Sequence, residues 1–137
     1  MFLSLLIIFI GLCFALIFIN RRAETQINKF LGRNTTIADE KSLNEYKSVV
    51  RENMYLALAL IGIMFASFCI TAVFIWLKGI LGALPLLLLL LLISALGSTK
   101  VRKLEVKARS LTCANRDLEH RYQKISKIWV KQALPNF

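Results

Sequence analysis

Apolar residues fill three long runs of this chain, at positions 2–19, 54–77 and 79–97. No Asp, Glu, Lys, Arg or His lies inside any of these runs. Each run is close to the roughly 20 residues that a helix needs to cross a hydrocarbon core about 30 Å thick. The pattern therefore predicts an all-α integral membrane protein with three transmembrane helices, and the lipid bilayer is its first expected partner.

The helical pattern continues beyond the first run and begins before the second. Ala23 and Phe30 keep helical spacing after the first run, and Gly32 is placed to cap the end of that helix. Thr36, followed three residues later by Asp39, has the spacing of a capping box that opens the next helix. A hairpin of two helices is therefore expected to extend from the bilayer into the cytoplasm. The predicted ranges are a first transmembrane helix with its cytoplasmic extension at 1–31, a cytoplasmic turn at 32–36, a long helix containing the second transmembrane helix at 37–77, an extracytoplasmic turn with the third transmembrane helix at 78–99, and a basic cytoplasmic tail at 100–137.

Charge fixes the expected orientation. The chain has 18 Lys and Arg against 8 acids, a formal net charge of +10. All the basic residues except Lys78 lie between the first two runs or after the third, so the positive-inside rule places the N-terminus outside and the C-terminus in the cytoplasm. Topology thus accounts for the charge, and a nucleic-acid partner is not expected. Anionic lipid on the cytoplasmic side is expected to contact the basic residues that follow the third run, namely Lys100, Arg102, Lys103, Lys107 and Arg109.

Small and mildly polar residues mark one part of the second run. Gly62 and Ala66 form a small-xxx-small pair, which lets helix backbones approach closely in a membrane. Ser67 and Thr71 continue this stripe. Two interpretations stay open, packing against the chain's own first or third helix and packing against another subunit.

The tail carries a heptad pattern typical of a coiled-coil-like amphipathic helix. The positions are Val101, Leu104, Ala108, Leu111, Asn115, Leu118, Tyr122, Ile125 and Trp129. Three interpretations stay open. The tail could pack on the cytoplasmic hairpin or on a protein partner, it could form a homo-oligomer in which Asn115 sets the register, or its basic end could lie on the membrane surface.

The sequence contains few residues or motifs that are typical of catalytic sites. His120 is the only histidine, and it lies seven residues from Cys113, whereas helical metal pairs favour spacings of three or four. Phosphate-binding loops, nucleophile elbows and zinc-protease motifs are absent from the sequence. We therefore expect no enzyme activity, no metal and no cofactor.

These observations favour a non-catalytic small membrane subunit that scaffolds, anchors or regulates a larger complex through its hairpin and basic tail. The expected location is a bacterial inner (cytoplasmic) membrane or its equivalent, with other membrane or cytoplasmic subunits as partners. The alternative is a homo-oligomeric pore, because three spans, an outside N-terminus and a basic cytoplasmic tail resemble class I phage holins in topology. The in/out order is also similar to that of three-span stator subunits of the MotA/ExbB type. Both resemblances cover topology alone, without a shared residue motif.

Overall fold

A computed structural model describes residues 2–132 and Leu134. The predicted first helix begins at Met1 and the predicted tail includes residues 135–137, and these positions lie outside the described residues. The described chain is helical apart from two very short strands, as the all-α prediction required. In chain order the elements are α1 (Phe2–Arg33), β1 (Thr36–Ile37), α2 (Glu40–Ala108), β2 (Thr112–Cys113) and α3 (Arg116–Lys131). α1 and α2 are each long and apolar enough to cross a membrane, by length and composition.

Gly79 divides α2 into a first segment, residues 40–78, and a second segment, residues 80–108. Its φ of 73° and ψ of 173° depart from helical values, and only glycine adopts that region readily. Ala57 and Ser98 line the same cavity, although a straight helix would separate them by about 60 Å. The two segments therefore run back along each other.

α1 packs beside the first segment of α2 in the opposite direction. Arg22 forms an ion pair with Glu52 at 2.8 Å, and the rings of Phe30 and Tyr46 lie 5.6 Å apart. Nearer the connection, the Asn34 amide donates a hydrogen bond of 3.0 Å to Glu45. Sequence separation falls from 30 to 11 between the first and last of these pairs, as it does along an antiparallel pair.

Two predicted helix boundaries are corrected by the structure. α1 extends through Gly32 to Arg33, so Gly32 is a helical residue and not a left-handed cap. α2 begins at Glu40, and its N-cap is Asp39. The capping box pairs Asp39 with Ser42: the Ser42 amide donates to the Asp39 carboxylate at 2.8 Å, and the Asp39 amide donates to the Ser42 hydroxyl at 3.2 Å. Thr36 instead belongs to β1.

The prediction of one continuous helix through the heptad positions, from Val101 to Trp129, is wrong. α2 ends at Ala108, and α3 begins only at Arg116. Between them β2 pairs in parallel with β1, with Thr36 opposite Thr112 and Ile37 opposite Cys113. Residues 109–115 include β-branched and polar side chains with low helix propensity. The break allows α3 to turn back and pack its own apolar face on the rest of the chain.

Buried side chains form two separate clusters. One joins Phe9, Cys13 and Leu16 of α1 to Leu90, with partly buried residues from both segments of α2 around it. The other lies among residues 20–33, 40–56, 98–108 and 116–131, which together with the two strands we call the head. The buried core of the head consists of Ile27, Phe30, Ile37, Leu43, Tyr46, Val50, Met54, Ala108, Tyr122 and Ile125.

Candidate functional site

Most of the predicted heptad positions contribute to the core of the head. Ala108, Tyr122 and Ile125 are buried in it, and five others are partly buried against it, namely Val101, Leu104, Leu111, Leu118 and Trp129. Asn115 is the exception, because it is exposed and occupies the N-cap position of α3 without a side-chain capping hydrogen bond. Most of the heptad positions are thus buried within the chain itself, on two helices and the segment between them and not on one continuous helix.

Tyr46 is the centre of the packing between α3 and the hairpin. Its ring lies 4.7 Å from that of Tyr122 and 6.0 Å from that of Trp129. Its hydroxyl shares a hydrogen bond of 2.8 Å with that of Ser126. Burial raises the pKa of Tyr46 above its ordinary value, so the phenol remains neutral at physiological pH.

Tyr122 fastens the chain reversal between α2 and α3. Its hydroxyl donates a hydrogen bond of 2.6 Å to the Ala108 carbonyl, the last residue of α2. The same oxygen accepts a hydrogen bond of 3.1 Å from the Leu111 amide. Two backbone groups that no helix satisfies are thus paired by one side chain. This role was not apparent from the sequence, where Tyr122 counted only as an apolar position.

The predicted stripe on the second run is divided between inside and outside. Ser67 and Thr71 are buried, and their hydroxyls donate to the Ile63 and Ser67 carbonyls at 2.9 and 2.8 Å. Gly62 lies on an exposed face, and a side chain there would meet nothing within 4 Å. Ala66 is partly buried. Contacts within the described chain thus use Ser67 and Thr71 and leave Gly62 open.

A cavity of about 500 Å³ lies where the three apolar runs meet the head, and we call it the boundary cavity. Asn20, Asn53 and Ser98 line it, and each is the polar residue that directly borders one apolar run. Their meeting in one cavity shows that the three runs end at the same level. The cavity therefore marks the transition between the apolar part of the molecule and its charged part.

The lining of the boundary cavity is charged on one wall and apolar on another. Arg102 and Glu105 of α2, together with Arg109 at the C-cap of that helix, contribute the charged wall. Leu56, Ala57 and Leu60 line it from the first segment, and Trp129 and Val130 line it from α3. Burial raises the pKa of Glu105, and the charges of Arg109 and Arg102 oppose that effect. Glu105 is therefore a partly buried acid whose charged form is favoured by two nearby arginines.

The five basic residues predicted to contact anionic lipid fall in different places. Arg102 and Arg109 line the boundary cavity. Lys100 lines a second cavity of about 310 Å³ between α1 and the second segment of α2. Lys103 and Lys107 are exposed. Sequence reasoning missed Glu105 and Asn53, although positions 102, 105 and 109 have the spacing that puts them on one helical face.

The described residues contain no group of three or more His, Cys, Asp and Glu side chains that could hold a metal ion. His120 is exposed on α3, and Cys113 is partly buried in β2. Burial, with a smaller effect of Glu119, raises the pKa of the Cys113 thiol, which disfavours the reactive thiolate.

Comparison of this chain with protein-family models, curated proteins and solved structures finds no match.

Proposed function

We propose that this chain is a membrane-embedded, non-catalytic subunit whose three spans anchor a small folded head at the cytoplasmic surface, where the head scaffolds or regulates a larger complex. The observation that carries the proposal is the outward-facing apolar surface of α1 and α2. In the most apolar windows of these helices only 17% and 11% of the residues are buried. Helices at the core of a soluble protein would be mostly buried, so a bilayer is the solvent that suits these faces.

The length of the three segments supports three crossings. The 32 residues of α1 span about 48 Å, enough for a hydrocarbon core of about 30 Å with a turn or more to spare on either side. The reversal at Gly79 lies at the opposite end of the apolar region from the head, with Trp76 and Lys78 beside it. Aromatic and basic residues commonly border a membrane span. All other basic residues belong to the head side, which supports a cytoplasmic head.

The exposed surface of the head supports the scaffold role. Because the apolar face of α3 is buried against Tyr46 and its neighbours, partner contacts would fall on the outer side of the head. That side of α3 is exposed and predominantly basic, with Arg116, Arg121, Lys124, Lys127 and Lys131 against Asp117 and Glu119. Such a surface suits an acidic patch on a cytoplasmic or membrane partner.

The alternative of a homo-oligomeric pore receives less support. Ser67 and Thr71, the polar stripe that would line such a pore, are buried and hydrogen-bonded within their own helix. A water-filled lumen would need to expose them. The subunit proposal requires no rearrangement of the spans.

The native mass of the protein, extracted from its own membrane in mild detergent, tests the proposal. We expect a stoichiometric complex with a different chain. The double variant Lys124→Glu with Lys127→Glu should release that chain, whereas Lys103→Glu with Lys107→Glu, a matched change on α2, should retain it. A pure homo-oligomer of many copies, with loss of membrane potential on overexpression, would replace the proposal with the pore.

A further inference from the structure

We propose that the boundary cavity is a binding site for the headgroup of a phospholipid with a single net negative charge, a phosphodiester such as phosphatidylglycerol. The inference rests on the proposed membrane embedding and deepens it, because it assigns one lipid class to one site. It separates Arg102 and Arg109, which line the cavity, from the basic residues that only face the surface.

The position of the cavity selects an amphiphile. Asn20, Asn53 and Ser98 border the three apolar runs and all line it, so it opens at the level where lipid headgroups meet acyl chains. A water-soluble ligand would gain nothing from this position. A lipid can enter sideways from the bilayer without leaving it.

The walls of the cavity match the two parts of a lipid. Arg102 and Arg109 can donate several hydrogen bonds to phosphate oxygens, and guanidinium groups suit that geometry. Leu60, Ala57 and Val130 supply apolar surface for the glycerol backbone and the first carbons of the chains. The volume of about 500 Å³ falls in the usual range for small-molecule sites, about 300–1,000 Å³.

The charge balance selects the class of headgroup. Two arginines and Glu105 are the charged side chains that line the cavity, which leaves one net positive charge. A phosphodiester with one negative charge neutralises it. A zwitterionic headgroup would add an ammonium group to a site that already has an excess cation. Lipids with more negative charge would place a second charge beside the Glu105 carboxylate.

Trp129 lines the cavity and provides a direct reporter. The second tryptophan, Trp76, is 84% exposed near Gly79, and the variant Trp76→Phe removes its signal. We would reconstitute this variant in vesicles of phosphatidylcholine containing a minor fraction of brominated phosphatidylglycerol, phosphatidylethanolamine or phosphatidylcholine. Bromine on the lipid quenches tryptophan fluorescence on contact, so quenching measures occupancy.

We expect brominated phosphatidylglycerol to quench Trp129 more strongly than the other two lipids at equal fraction. Arg102→Gln and Arg109→Gln should each weaken the preference about fivefold, the effect of one basic residue close to an anionic surface. The control variant Lys103→Gln with Lys107→Gln removes two charges from the exposed side of α2, one more than either arginine variant, and should still change the preference much less. Glu105→Gln should act in the opposite direction and strengthen it.

Several outcomes would overturn the site. Equal quenching by all three lipids would show that the site has no headgroup preference. A loss of preference in the lysine control equal to that in the arginine variants would show a general attraction to the membrane surface. Relief of the quenching by millimolar glycerol phosphate or inorganic phosphate would show that a soluble phosphate is the ligand, and would overturn the lipid assignment. Extraction of the protein from the vesicles by alkaline carbonate would refute the membrane embedding itself, so the two failures are distinguishable.

Discussion

Removing the Tyr122 hydroxyl should loosen the head at the point where α3 turns back. The variant Tyr122→Phe keeps the ring that packs 4.7 Å from Tyr46 and deletes only the oxygen. That oxygen is bonded to the Ala108 carbonyl at 2.6 Å and to the Leu111 amide at 3.1 Å. Each net hydrogen bond is worth about 1 kcal/mol, and leaving a buried partner unsatisfied costs about 1–3 kcal/mol. We expect a total loss of about 2–3 kcal/mol for the docking of α3.

Hydrogen exchange of the strand amides measures this loss directly. The Ala114 amide donates a hydrogen bond of 3.0 Å to the Ile37 carbonyl, and it exchanges only when β2 separates from β1. If opening and closing are fast relative to exchange, a loss of 2–3 kcal/mol should accelerate the exchange of this amide about 30- to 140-fold. Mass spectrometry of a peptide that contains residues 112–114, from protein in lipid nanodiscs, provides the readout.

Two matched tyrosine variants show whether the geometry is responsible. Tyr55→Phe removes a hydroxyl from a side chain that is 55% exposed, and it should leave the exchange of Ala114 unchanged. Tyr46→Phe removes the hydrogen bond to the Ser126 hydroxyl and should accelerate exchange about fivefold for about 1 kcal/mol. If Tyr122→Phe exchanged no faster than Tyr55→Phe, the two hydrogen bonds would not fasten the reversal and the reasoning would be refuted.

Four further variants test other parts of the fold. The contribution of Glu105 to the stability of the head should fall as the pH rises through its pKa, which burial raises. Glu105→Gln should remove this part of the pH dependence in thermal melts between pH 4 and pH 8. Gly79→Ala should destabilise the protein by about 1–3 kcal/mol through backbone strain alone, since nothing lies within 4 Å of the added carbon. Gly32→Ala lies in an open helical position, and it should instead be neutral or stabilise the protein by up to about 1 kcal/mol. Arg121→Ala breaks an ion pair with Glu40 whose partners are both largely exposed, and it should leave the melting temperature unchanged at any salt concentration.

The sequence predicted the helical elements well because their signal is long and periodic. The uncharged runs and the helical spacing of residues such as Ala23 and Phe30 made the helices evident. Ala23 and Phe30 are both buried in the structure. A turn near Lys78 was predicted because this residue separates two apolar runs. The structure adds that the backbone departs from helical values at Gly79, in a conformation that favours glycine.

Sequence reasoning failed where local and long-range preferences compete. The heptad pattern runs through residues 109–115, and the low helix propensity of residues such as Ser110 and Thr112 is too weak a local signal to predict that the helix stops there. What stops it is a contact more than 70 residues away in the chain, the pairing of Thr112–Cys113 with Thr36–Ile37. A β-bridge of two residues leaves no periodic signal. The Asp39 cap was missed because Ser42 completes the capping box in place of the usual Glu or Gln.

The boundary cavity could be predicted only in part. Arg102, Glu105 and Arg109 share one helical face by their spacing alone. Their meeting with Asn53 and Trp129 depends on how α1, the two segments of α2 and α3 pack together, and the pattern of a single helix carries no information about that arrangement. The Tyr122 hydrogen bonds likewise depend on the chain reversal between α2 and α3, so they could not be predicted before that reversal was known.

The membrane crossing of the three segments is the claim on which the function and the lipid site both depend. Labelling of single cysteines with a membrane-impermeant maleimide tests it most directly, in cells and in inverted vesicles from the same cells. One variant would carry Lys78→Cys and another Glu119→Cys, each with the three native cysteines replaced by serine. We predict that the cysteine at position 78 reacts only from outside and the one at position 119 only from the cytoplasmic side. Reaction of both from the same side would contradict the account.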